Sequence, residues 1–136
     1  MAVPDALQAG GRAWKVGAGI VAVLVGVVSL LPPRGTPVGD IADLGEVRAT
    51  IGHVLSYALL SAVFVMAVRA SAPLSSVARA AVLVILILTG YGALLEVLQG
   101  VAGLRSFQFQ DVLANAVGAI VGAGLAVLVR RRSLGA

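Results

Sequence analysis

The sequence predicts an all-α integral membrane protein, a four-helix bundle with both termini cytoplasmic. Three observations carry that prediction. Of 136 residues, 60% are hydrophobic and 12% charged, and the mean hydropathy is +1.04; soluble domains are nearer a quarter charged. The apolar residues gather into four runs, about Trp14–Leu31, Val47–Val68, Ala80–Val101 and Val112–Val129. As helix, each is about 27–33 Å long, the thickness of the hydrocarbon layer of a bilayer. Finally, the basic residues sit at the ends of these runs, where membrane topology places them. One membrane domain, residues 1–136, accommodates all four.

The first run follows Arg12 and Lys15 in the manner of a secretory signal, but Leu30-Leu31-Pro32-Pro33 stands where a small-residue cleavage site is needed. A retained helix is therefore expected. The pair Pro32-Pro33, with Gly35, Pro37 and Gly39, ends it, because proline interrupts the helical hydrogen-bond ladder. The second run ends before Ser71-Ala72-Pro73-Leu74-Ser75-Ser76, and Gly100 through Gln110 separates the third from the fourth. Orientation follows from Lys and Arg. Arg12, Lys15, Arg69, Arg79, Arg130, Arg131 and Arg132 fall on one side, and Arg34, Arg48 and Arg105 on the other. The richer side is the cytoplasmic one, so the loop carrying Arg105 is expected outside. Arg130-Arg131-Arg132 reads as a stop-transfer anchor, and Trp14 as an interfacial one.

Composition also sets what the chain is not. The net charge of +4 reflects topology rather than nucleic-acid binding. Without Cys there is no disulfide or thiolate chemistry, and a single His excludes a His-cluster metal site. No metal and no cofactor is expected; the bilayer is the expected partner.

The candidate site is a patch of polar chemistry in an otherwise apolar half: Glu96-x-x-Gln99, Arg105, and Asp111-x-x-x-Asn115. A charge beside hydrocarbon costs about 2.5–3.5 kcal/mol or more unless paired or wetted. Glu96 and Gln99 are three apart, Asp111 and Asn115 four apart, and His53 and Tyr57 on the second run four apart, so each pair shares a helix face. In a four-span arrangement all three pairs come to one depth, and the short hairpin makes the third and fourth helices neighbours. Glu96, Arg105 and Asp111 are expected together, with His53 and Asn115 in reach, either as a site for ligand or proton chemistry or as an ion pair locking the helices. His53 with Tyr57 reads as a relay element or as an interhelical hydrogen-bond donor to Glu96 or Asp111. Phe107 and Phe109 are expected at the interface or over the cluster. Gly118-x-x-x-Gly122 is a small-residue motif that lets helix backbones approach closely, and Gly17, Gly19, Gly26, Gly90 and Gly92 read likewise.

These residues resemble the VanZ-like family of small bacterial membrane proteins. The run Glu96-Val-Leu-Gln99, Arg105-Ser-Phe, Asp111-Val-Leu-Ala-Asn115-Ala-Val-Gly118 and Gly122 is similar to that family's pattern, as is His53-Val-Leu-Ser-Tyr57-Ala-Leu-Leu. The resemblance covers roughly Gly52 to Gly122. It departs where the family commonly has an Asp-Lys pair before the His segment; Ala49-Thr50 stands there, with Glu46 and Arg48 nearby. The resemblance implies a multi-pass protein of the bacterial cytoplasmic membrane, active in the cell envelope and linked to resistance against the glycopeptide teicoplanin. A lipid-linked cell-wall precursor is the ligand it implies. Two other readings stay open: a membrane enzyme acting on such a substrate, with Glu96 or Asp111 as acid or base, and a structural partner that helps assemble other membrane proteins. The phosphotransbutyrylase label carried by some members has no counterpart here, since no phosphate-cradling Gly-rich loop and no nucleophile beside a base is present. A transporter is disfavoured for want of an inverted repeat.

Overall fold

A computed structural model of the chain describes residues 5–30, 42–69 and 74–134. They form four α-helices: α1 (Asp5–Leu30), α2 (Ala42–Arg69), α3 (Leu74–Val101) and α4 (Phe109–Leu134). All four are long and apolar enough to cross a membrane, over Arg12–Leu30, Val47–Val68, Val77–Val101 and Phe109–Val129. The all-α, four-span expectation therefore agrees with the structure. The helices are longer than the apolar runs: α1, α2 and α3 begin several residues earlier, and α4 continues through its arginines to Leu134. Two boundaries are corrected: Leu74-Ser75-Ser76 belongs to α3 and not to the loop before it, and Gly100, Val101, Phe109 and Gln110 belong to α3 and α4, which leaves 102–108 as the connection. The proline-rich turn after α1 lies outside the described residues.

The exterior is apolar at mid-span. Val23, Leu55, Leu86 and Ile87 are each 64% exposed, an arrangement that suits lipid as the surrounding solvent and would be a liability in water. The interior is thin. Leu60 and Val65 of α2, Val84 and Leu88 of α3, and Ala119 and Ala123 of α4 make the packed core, with Val21, Ala22 and Val25 of α1 laid against it.

Helices α2 and α4 form the closest pair, and small residues are the reason. A Cβ placed on Gly118 would run into the Val54 carbonyl oxygen, and one on Gly122 into the backbone of Ala58. Ser61 Oγ donates 2.8 Å to the Ala119 carbonyl across the same seam. Without a hydrophobic driving force between helices in lipid, such close backbone packing and interhelical hydrogen bonding are what hold them together. The partners rise together along both chains, so α2 and α4 run parallel.

Helix α1 is peripheral. Tyr91 Oη of α3 donates 2.9 Å to the Ala22 carbonyl, and a side chain on Gly26 would meet that same hydroxyl. Further along, Gln99 Nε2 donates 2.5 Å to the Ser29 carbonyl. Both bonds are to α1 backbone, which fixes α1 parallel to α3. The bundle thus runs up, down, up, down, and one end collects the C-termini of α1 and α3 with the N-termini of α2 and α4.

Candidate functional site

At that end the chain must turn from α3 into α4 within seven residues, and the turn is built by backbone chemistry. Leu104 N–H donates 3.0 Å to the Gln99 carbonyl and Gly103 N–H 3.2 Å to that of Gly100, a paired closure that satisfies the last carbonyls of α3. It requires a left-handed residue just past the helix, and Gly103 supplies it with φ of 67°. The turn delivers Arg105 and Gln108 back over the helix ends. Asp111 lies in the first turn of α4, where the helix dipole favours a carboxylate.

The polar side chains gathered there are largely hidden. Glu96, Gln99, Asp111 and Asn115 are all buried, while the side chains of His53 and Arg105 keep 16% and 28% exposure. Arg105 Nη1 lies 3.1 Å from Asp111 Oδ2, and its Nη2 donates 2.5 Å to Gln108 Oε1. His53 sits between two acceptors: Nδ1 is 2.8 Å from Asn115 Oδ1 and Nε2 is 3.4 Å from Asp111 Oδ2. Asp111 Oδ2 lies near His53 on one side and Arg105 on the other, yet no directed hydrogen bond reaches it among the described residues. The Glu96 carboxylate accepts a long 3.4 Å bond from the Gln108 backbone N–H. One donor atom each of His53, Glu96 and Asp111 lie within 4.8 Å of one another, so α2, α3 and α4 each contribute one group to a single point.

Each expected site residue therefore has a place. His53, Glu96, Arg105, Asp111 and Asn115 come together. Gln99 does not join them; it faces α1 and holds Ser29. Tyr57 is buried with its hydroxyl unpartnered, and it and the Asn115 amide both border the space a side chain on Gly92 would take. The pairing inside the cluster is also narrower than the sequence implied. Among the described residues, the ion pair of Arg105 is with Asp111, while Glu96 is met by backbone. Phe107 and Phe109 are exposed and Phe107 packs on Gly100, so they flank the cluster instead of covering it. Arg48 is exposed on α2, and the side chain of Glu46 lies outside the described residues.

Sequence reasoning missed Gln108, which bridges Arg105 and Glu96, and Ser29, which acts through its carbonyl and so carries no side-chain signal. It also missed the space beside the cluster. A cavity of about 540 Å³ opens between α1 and α2. Val21, Val25 and Val28 wall one side, and His53, Gln99 and Arg105 stand at its polar end. A mostly apolar pocket with a few convergent polar groups is the usual form of a ligand site.

Comparison with known proteins places the chain in a family. The family model described as VanZ/LLP1 matches residues 17–130, most of the chain and all of the cluster. No curated protein and no solved structure matches it.

Proposed function

The chain belongs to the VanZ-like family of membrane proteins, and from that premise we propose that it binds an amphipathic, anionic lipid-linked ligand of the cell envelope. A cell-wall precursor on its polyprenyl carrier is the ligand class that fits, and a contribution to teicoplanin resistance is the physiological outlet. The observation that carries this reading is the cavity beside α1, whose valine wall leads to Arg105 and His53. The wall suits a lipid chain. Arg105 suits a diphosphate, because a guanidinium offers a planar pair of donors to phosphate oxygens. Basic groups between membrane helices are a recurrent device for holding lipid headgroups.

The reading also places the site on the extracytoplasmic face of the bacterial cytoplasmic membrane, supported by the bias of Lys and Arg toward the other side. Cysteine introduced at Ser106 should then react with an impermeant thiol reagent in intact cells, and cysteine introduced at Ser75 only after lysis. The ligand is tested by titrating a polyprenyl diphosphate into the protein in lipid nanodiscs. Saturable binding that Arg105→Gln weakens at least tenfold, with the fold retained, supports the reading. Equal binding by both forms refutes it. The buried pair Glu96 and Asp111 keeps an enzymatic reading in view, and turnover of the bound lipid that ceases in Glu96→Gln while binding persists would establish it.

A further inference from the structure

We propose that His53, Glu96 and Asp111 form a binding site for one first-row divalent metal ion of the Zn²⁺ type. The proposal does not depend on the lipid reading.

Three features of the cluster converge on a cation. The first is the imidazole. In the neutral tautomer that donates Nδ1–H to Asn115 Oδ1 at 2.8 Å, Nε2 carries the lone pair and lies 3.4 Å from Asp111 Oδ2, another acceptor. Metal-bound histidines show this arrangement: the far ring nitrogen donates to a carbonyl or carboxylate, which fixes the tautomer and turns the near nitrogen to the ion. The second is distance. A charge-assisted hydrogen bond between Nε2 and a carboxylate would be about 2.7–2.9 Å, whereas the separation is 3.4 Å and Asp111 Oδ2 receives no directed hydrogen bond. Two donors each about 2.0–2.1 Å from one tetrahedral ion stand about 3.3 Å apart. The third is charge balance: with both carboxylates ionised and the imidazole neutral, the cluster would carry one negative charge in excess of its single guanidinium, a state that a bound cation would stabilise. A carboxylate oxygen of Glu96, a side chain that accepts a 3.4 Å bond from backbone among the described residues, completes the set of three donor atoms within 4.8 Å of one another.

The donor set of one nitrogen and two oxygens selects the metal. It lacks the all-oxygen shell that Mg²⁺ and Ca²⁺ prefer, and it matches the three protein ligands and open position of many Zn²⁺ sites. Arg105 Nη1 lies 3.1 Å from the same Asp111 oxygen, so that oxygen would be shared between the guanidinium and the ion, while Nη2 stays on Gln108. A single histidine excludes a His cluster but not this mixed site. With a divalent ion in place the cluster would carry one positive charge in excess and would attract an anion.

The test uses the full chain in detergent, freed of any affinity tag and stripped of metal. Titration with Zn²⁺ against a chromogenic chelator should give one ion per chain. His53→Gln should weaken binding at least tenfold, and Asn115→Ala, which removes only the outer partner of the imidazole, by about 10–100-fold. Helix content by circular dichroism checks that each variant is folded. Because those variants could fail to fold, Co²⁺ added to the wild-type chain is the second readout. It should develop intense visible bands of four-coordinate Co²⁺, and a chelator should abolish them. No stoichiometric Zn²⁺, an unchanged aqueous Co²⁺ spectrum, or undiminished affinity in folded His53→Gln would each overturn the proposal. Repeating the lipid titration in chelator separates the two readings: lipid binding without Zn²⁺ binding ends this proposal alone, and Zn²⁺ binding without lipid binding ends the other alone.

Discussion

Helices α2 and α4 meet in two ways along one seam. Toward the middle of the membrane, Gly118 and Gly122 sit against the backbone of Val54 and Ala58. There is no charge and no room for a side chain. About a turn away toward the α4 N-terminus, the same two helices face each other through His53, Asp111 and Asn115. The difference teaches that one part of the seam holds the bundle and the other is free to do chemistry. Small residues already fix the helices at their closest distance, so the polar end need not serve as the lock.

The largest expected effect comes from filling the small-residue seam. Gly122→Leu would push a side chain into the Ala58 backbone, which cannot yield as a flexible side chain would. Overpacking a well-packed site typically costs about 1–3 kcal/mol and sometimes more, and a bundle with so thin a core should not survive it. Little protein should be found in the membrane fraction by immunoblot. Wild-type levels would mean that α2 and α4 are held from elsewhere.

Asp111→Asn should act in the opposite sense. Removing one partner of a buried pair often costs about 3–5 kcal/mol. Here, however, the Arg105 side chain left behind is partly exposed to solvent, and the amide keeps the shape of the carboxylate. Membrane levels should stay near wild type while ligand binding and any teicoplanin phenotype are lost. A fall in protein level with no other change would return the cluster to a structural role.

Arg105→Lys sharpens the same comparison, since it keeps the charge and removes the planar fork. Affinity for a diphosphate lipid should fall about tenfold without loss of protein. A smaller effect belongs to Ser61→Ala, which deletes a side-chain hydrogen bond on the apolar part of the seam. Interhelical hydrogen bonds in membranes average about 0.6 kcal/mol, so thermal unfolding in detergent should shift slightly and binding should not change. Gly17→Ala and Gly90→Ala should do nothing measurable, because a Cβ at either position meets open space.

That last contrast marks what the sequence made legible. The four spans were readable because apolar runs of bilayer length have few alternatives. The helix ends were not: hydropathy reports where the chain crosses hydrocarbon, and α3 begins at Leu74 with turns that extend beyond it. Glycines in the same sequence context could not be told apart, since Gly92 lies against Asn115 and Tyr57 while Gly90, two residues away, faces nothing. Spacing brought Glu96 and Gln99 onto one side of α3, but three residues of helix still turn them about 60° apart. That is enough for Gln99 to reach α1 and for Glu96 to face the turn into α4. The cavity was out of reach altogether, because it depends on how α1 leans on α2, and the side-chain bonds that Tyr91 and Gln99 make to α1 are to carbonyls that any residue would offer.

The central claim is that the polar end of the bundle is a ligand site and not the fastening of the helices. Titration of a polyprenyl diphosphate into nanodiscs carrying wild-type, Asp111→Asn and Ser61→Ala protein tests it most directly. Wild type should bind saturably, Ser61→Ala should bind undiminished, and Asp111→Asn should lose at least tenfold in affinity with helix content and monodispersity intact. Equal binding by all three folded proteins would contradict it.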